Sequence, residues 1–164
     1  MSSAAGASLA PWDVVFEPVS PRLVTARLVV NSAVDAVVLV AATVLAVLVS
    51  PWLAGLAAVA VALAAWEAWL IPRQVRALGY ALEEDHLLWR RGVMFRRVSV
   101  IPYGRMQLVE VSQGPLAARL GIAEVRLHTA SASTDATING LPLAQAERLR
   151  QVLSERGEER MAGL

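Results

Sequence analysis

Residues 28–71 read LVVNSAVDAVVLVAATVLAVLVSPWLAGLAAVAVALAAWEAWLI, and this stretch decides the architecture. It is 44 residues long and holds two charges, Asp35 and Glu67, while the other 120 residues hold the remaining 27. Ser50-Pro51 divides it into Leu28–Val49 and a second apolar segment, 52–71. A bilayer-spanning helix needs about 17–25 apolar residues to cross roughly 30 Å of hydrocarbon, and both halves qualify. Neither half has a polar face at helical spacing, which sets them apart from the buried helix pair of a soluble bundle. Proline cannot continue a helix without losing a backbone hydrogen bond, so Ser50-Pro51-Trp52 is expected at the tip of a tight helical hairpin. Trp52 is then expected at the far membrane interface, and Trp66 and Trp69 at the near one. Arg22 and Arg27 precede the hairpin, Arg73 and Arg76 follow it, and the tip has no arginine. The positive-inside rule then places both termini in the cytoplasm of a multi-pass inner-membrane protein. A cleaved signal peptide fits poorly, because the apolar run starts late and a second span follows at once.

Asp35 lies 15 residues before Ser50 and Glu67 lies 16 after Pro51, so an antiparallel hairpin sets them at one depth. At 1.5 Å per residue that depth is roughly 22–24 Å from the tip, close to the cytoplasmic interface. One reading is a proton or ion relay. The plainer and favoured one is snorkelling, or pairing with Arg27, Arg73 or Arg76, since two helices cannot enclose a pore. The second span repeats small residues every fourth position, Ala54, Ala58, Ala62 and Ala60, Ala64, Ala68, a pattern that lets helices approach closely.

The whole-chain figures fit this division. The 164 residues are 56% hydrophobic and 18% charged, with a formal net charge of +1, and the mean hydropathy is +0.51. Apolar content excludes a disordered chain, and the lack of cysteine excludes a disulfide-stapled domain. All fifteen cations are arginine, a bias of the kind a GC-rich genome imposes.

Outside the hairpin, residues 1–27 read as a disordered and juxtamembrane N-terminus, with Trp12 and Phe16 at the membrane surface. From Arg73 the pattern changes to alternation, the signature of strands. Strands are expected over Val75–Glu83, Leu87–Phe95, Arg97–Ile101, Met106–Ser112, Ala123–Thr129 and Ala136–Leu141, with a short helix over Leu116–Leu120. Pro142 suits the first position of a final helix, whose stripe is Leu143, Ala146, Leu149, Val152 and Leu153. Gly157 is expected to end it, leaving 158–164 as a frayed tail. Residues 73–157 therefore read as a small α+β domain, an antiparallel sheet covered by a helix.

Within that domain, Trp89-Arg90-Arg91-Gly92-Val93, Ile101-Pro102-Tyr103-Gly104-Arg105-Met106-Gln107, Gln113-Gly114-Pro115-Leu116, Leu120-Gly121-Ile122-Ala123 and Leu127-His128-Thr129-Ala130 occur in order after a helical hairpin. This set resembles the bacterial pleckstrin-homology-like (YdbS-like) membrane proteins over most of 22–155. The resemblance implies a barrel or sandwich of two packed sheets capped by the C-terminal helix, following paired transmembrane helices. It implies seven strands where alternation shows six, and it implies no established catalytic activity. It also suggests a longer paralogue as a partner. Pleckstrin-homology domains that bind phosphoinositides carry basic residues between their first two strands; here that loop reads as Glu83-Glu84-Asp85-His86, which is acidic.

No enzyme or cofactor signature stands out. Four neighbours on the Glu83–His86 turn cannot converge on one metal ion. His128 is expected to face away from the core, and Ser131, Ser133, Thr134 and Asp135 near it leave a hydrolase-like site only a remote reading. The informative cluster is basic. Arg90, Arg91, Arg96, Arg97 and Arg105 are interleaved with Trp89, Met94 and Phe95, and residues 72–127 hold nine arginines against five acids. Just beneath an anionic leaflet each such cation contributes about 1 kcal/mol of attraction. The alternative is a solvated strand face with arginines paired to acids across the sheet. The sequence thus points to a membrane-anchored binding or scaffolding module without catalysis. It acts by assembly with another membrane protein or with itself, or through anionic lipid head groups. The patch is too small and too firmly anchored for nucleic acid.

Overall fold

The computed structural model describes residues 14–130 and 135–162. Trp12, Ser131, Ser133, Thr134 and the expected disorder of residues 1–11 lie outside them. Helix α1 spans Arg22–Leu48 and α2 spans Ala54–Arg76, joined by one 3-10 turn at Pro51–Leu53. Ser50 is extended (φ −164°, ψ 134°), which ends α1, and Pro51 occupies the first position of the turn. Its missing N–H costs nothing there. Both helices are long and apolar enough to cross a membrane, and little of either is buried.

The helices extend past the apolar run at the end away from the tip. Helix α1 starts six residues before Leu28, and α2 passes through Pro72 to Arg76. Val75 therefore belongs to a helix and not to the strand expected over Val75–Glu83. These extensions are part of the core: Leu23 and Val75, with Ile71 at the end of the run, are buried in one cluster with the sheet residues. Residue 73 is thus not a seam between two bodies.

Among the described residues seven strands form two antiparallel sheets. The first orders β1 (Glu17–Pro18), β2 (Gly79–Leu82), β3 (His86–Arg91) and β4 (Arg97–Pro102); the second orders β5 (Met106–Ser112), β6 (Ile122–Thr129) and β7 (Ala136–Pro142). The strand missing from the alternation count is β1, which precedes the helices. Its register is Glu17↔Tyr80 and Pro18↔Gly79. The Tyr80 hydroxyl donates to the Glu17 carboxylate at 2.5 Å. The helical hairpin is therefore an insertion between the first two strands. This corrects the placing of Glu83–His86, which joins the second and third strands. It also fixes sidedness: β1 and β2 are hydrogen-bonded, so any bilayer crossed by both helices has the two ends of the hairpin on one face.

Helix α3 (Pro115–Leu120) links β5 to β6, and α4 (Leu143–Ala162) closes the fold. One core joins both sheets to α4: Leu87, Trp89 and Ile101 meet Val125, Leu127, Ile138 and Leu141, with Ala146, Leu149 and Leu153 above them. Helix α4 does not stop at Gly157. It continues to Ala162, so 158–162 is helix and not a frayed tail. Gly157 is buried, and a Cβ there would lie 3.7 Å from the Tyr103 carbonyl oxygen. The glycine marks close approach of the helix to the chain at Tyr103.

Candidate functional site

The arginine cluster is built on the β3–β4 hairpin. Gly92 turns the chain with φ +99°, and a Cβ there would lie 2.0 Å from the Phe95 carbonyl oxygen. Only glycine suits that turn. It lifts Met94 and Phe95 into solvent at 86% and 80% exposure. Val93 and Phe95 thus belong to the tip, not to a strand face with Leu87 and Trp89. Trp89 is 3% exposed and part of the core, which removes it from the expected binding surface.

Arg90, Arg91, Arg96, Arg97 and Arg105 all reach the surface. Arg91 stands directly across from Arg97, and Arg90 from Val98. Like charges directly opposite on a sheet repel. Among the described residues arginine pairs with acid at Arg126–Glu124 and Arg160–Asp85, and none of these five forms an ion pair. The expected cross-strand pairing with acids is absent from this face. Arg90 instead stacks over the Phe16 ring, 4.5 Å from its centroid. Sequence reasoning missed a sixth member, Arg76. It closes α2 and lines one cleft of about 280 Å³ with Ala77, Arg90, Gly92, Val93 and Arg96. No carboxylate lines that cleft. Arg105 lies apart from it, in the turn after β4.

The acidic turn is a structural clamp. Asp85 pairs with Arg160 of α4, and Arg156 donates to the Glu83 carbonyl at 2.6 Å and to the Tyr103 hydroxyl at 2.9 Å. Tyr103 in turn donates to the same carbonyl at 2.8 Å. Burial pushes its hydroxyl above the ordinary tyrosine range, and the guanidinium of Arg156 only partly offsets this.

His128 and Asp135 do meet: Nδ1 lies 3.2 Å from Oδ2. Glu110 is 3.9 Å from Nε2 on the other side. The His128 and Asp135 side chains are 45% and 35% exposed. The second Asp135 oxygen accepts the Thr129 backbone N–H at 2.8 Å. That bond, with His128 second, holds the Asp135 carboxyl below its usual range. The arrangement secures the base of the β6–β7 loop on an open surface. Among the described residues no group of three metal-ligating side chains converges.

Inside the hairpin, Asp35 and Glu67 line one groove of about 290 Å³ with Asn31 and Ser32 beside them and Leu28 and Leu39 among its apolar walls. The two carboxylates thus lie at one level of the hairpin. Glu67 accepts a hydrogen bond from Asn31 Nδ2 at 2.7 Å. Pairing with Arg27, Arg73 or Arg76 is not seen among the described residues; Arg73 stacks 3.3 Å from the centroid of Trp69. Trp66 and Trp69 lie together at one end, 5.4 Å apart, and Trp52 is 93% exposed at the other. Of the small residues, Ala60, Ala64 and Ala68 line the groove, whereas Ala54, Ala58 and Ala62 are exposed.

A family model described as bacterial PH domain matches residues 25–157. No curated protein and no solved structure matches.

Proposed function

Because the chain belongs to the bacterial PH domain family, whose PH-like folds are typically binding and scaffolding modules, we propose that it is a binding module held on an anionic membrane face. The observation that carries this reading is the cleft of Arg76, Arg90 and Arg96, cations without a carboxylate partner. Guanidinium forks match the oxygens of a phosphate group better than any other side chain. Depth supports the same reading. Arg76 lies five residues beyond Ile71, the end of the apolar run, which is about 7–8 Å along a helix. The head-group layer adds roughly 5–8 Å to each side of the hydrocarbon. The cleft then opens at the level of lipid phosphates, with Met94 and Phe95 beside it as an apolar wedge. The arginine bias of this end over the tip favours the cytoplasmic leaflet of the inner membrane, with both termini inside. The module works by binding, without catalysis. His128 and Asp135 have a structural role.

The test is lipid retention by the full chain, purified from mixed phosphatidylcholine and phosphatidylglycerol nanodiscs and weighed by native mass spectrometry. The chain should retain phosphatidylglycerol selectively. Replacing Arg76, Arg90 and Arg96 by glutamine should reduce that about tenfold, and the same change at Arg97, Arg105 and Arg119 should reduce it less than twofold. Equal losses would reduce the cleft to diffuse attraction. No selectivity at all would sink the lipid reading.

Assembly with another membrane protein is a second reading. It is favoured by the groove between α1 and α2, which holds two carboxylates and opens to the side of the hairpin.

A further inference from the structure

The hairpin groove supports a specific form of assembly, and the following rests on that second reading. Four polar side chains, Asn31, Ser32, Asp35 and Glu67, line an otherwise apolar groove between two helices fit to span a membrane. Carboxylates in such helices are costly, and they pair with a donor or face a polar cavity. Neither neighbouring donor is directed at Asp35. The Asn31 amide serves Glu67, and the Ser32 hydroxyl donates to the Val29 carbonyl at 3.2 Å. Asp35 accepts no hydrogen bond among the described residues.

A second copy of this chain is a poor source of the missing donor. Residues 28–71 contain no arginine, lysine or histidine. Arg27 lies eight residues before Asp35, roughly 12 Å along the helix toward the head groups. Ala60, Ala64 and Ala68 wall one side of the groove, and small walls admit a third helix at close range. We propose that the groove seats a transmembrane helix of a different protein, one whose basic side chain pairs with Asp35 and Glu67. The two carboxylates supply the charge; the alanine wall supplies the shape.

The chain has no cysteine, so single cysteines can be placed without background. Ser32→Cys, at the groove, and Ala58→Cys, on the outward face of α2, are each labelled with a thiol-reactive benzophenone in native membranes and photolysed. The expected result is one adduct from Ser32→Cys. Its partner peptide is a transmembrane segment of another protein with an arginine or lysine within one turn of the crosslink. Its yield falls at least tenfold with Asp35→Ala and stays within about threefold with Asp35→Glu. Asp35 faces an open groove, so folding should survive. Ser32→Leu, which fills the groove with apolar bulk, is the second variant: it should abolish co-purification of the same protein. Crosslinks from Ala58→Cys alone would overturn the groove and leave assembly standing. Lipid adducts alone from both positions would overturn both. A partner peptide from a second copy, a segment without a basic residue, or a yield indifferent to Asp35→Ala would also overturn the proposal.

Discussion

Gly140 offers a sharp test of the junction between α1 and the sheets. It lies in β7 with φ +80°, and a Cβ there would fall 2.7 Å from both Cβ and Cδ2 of Leu23. Its carbonyl also accepts the Ser20 backbone N–H at 2.8 Å. Gly140→Ala therefore has two costs. The left-handed backbone costs a residue with a Cβ about 1–2 kcal/mol. Forcing Leu23 away adds about 1–3 kcal/mol of overpacking, because the atoms it meets include a Cβ and not only a flexible chain end. Gly121→Ala isolates the first cost. Its φ is +65°, but the new Cβ would meet only Nη1 at the far end of the Arg22 side chain, 3.1 Å away, which can shift at the cost of at most its surface bond to the Leu120 carbonyl. The two variants should therefore differ by about 1–3 kcal/mol. For a unit of roughly 100 residues each kcal/mol is about 4–8 °C in Tm. Thermal unfolding of the full chain in detergent micelles, followed by near-ultraviolet circular dichroism, reads that difference as roughly 5–20 °C. If both variants melt within about 2 °C of each other, Leu23 is not seated on β7 and the first turn of α1 is a loose linker.

Other expectations concern α4, the clamp at Tyr103 and the β6–β7 loop. Gly157→Ala places a methyl at ordinary contact distance from Tyr103 and should stabilise the chain by about 0.5–1 kcal/mol through helix propensity; a lower Tm would refute a helix continuing through that position. Tyr103→Phe removes a donor to Glu83 and an acceptor for Arg156, and should cost about 1–3 kcal/mol at pH 7 in the same melt. Burial raises the hydroxyls of both Tyr80 and Tyr103 in the folded chain. Their stabilisation is complete below the free tyrosine value of about 10 and is lost as pH rises beyond it, so Tm should fall above pH 10 and fall less steeply in Tyr103→Phe. Asp135 has the opposite sign. Its folded value is lowered, so its contribution is present above the free value of about 3.9 and lost as pH falls through the folded one. The Thr129 amide resonance should report that acid transition and should lose it in Asp135→Ala.

The hairpin was legible because length and apolarity act over some twenty residues at a time, and Ser50-Pro51 punctuates them. The strands from Met106 onward were legible because alternation continues over seven or eight residues, as in Val125, Leu127 and Thr129. Strand β1 was not, since two residues carry no periodicity and its partner lies beyond the hairpin. The helix ends were misjudged for a related reason. At Leu23 and Val75 the surrounding charges and Pro72 hide helices that are stabilised by packing on the sheets. Gly157 misled because a glycine that ends a helix and one that admits a neighbour look alike in sequence. At the site, the arginines of the β3–β4 hairpin were visible as a cluster. Trp89 is buried by a register that local reading does not fix. Arg76 joins the cleft only through the return of α2 beside the turn at Gly92.

The position of β1 has a consequence for synthesis. The ribosome delivers Glu17–Pro18 first, and the strand that completes its ladder follows only after both long helices. If α1 alone crossed a bilayer, the two strands would be stranded on opposite faces, separated by roughly 30 Å of hydrocarbon. The first sheet would then lack its edge, and Val19, Leu23, Ile71 and Val75 could not enter a shared core. In a bilayer the fold can close only when the two ends of the hairpin lie on one side, with both helices across or neither. Closure of the domain thus discriminates against a chain with a single helix across a bilayer: such a chain is left with open strand edges and exposed core residues, the features that chaperones and proteases act on.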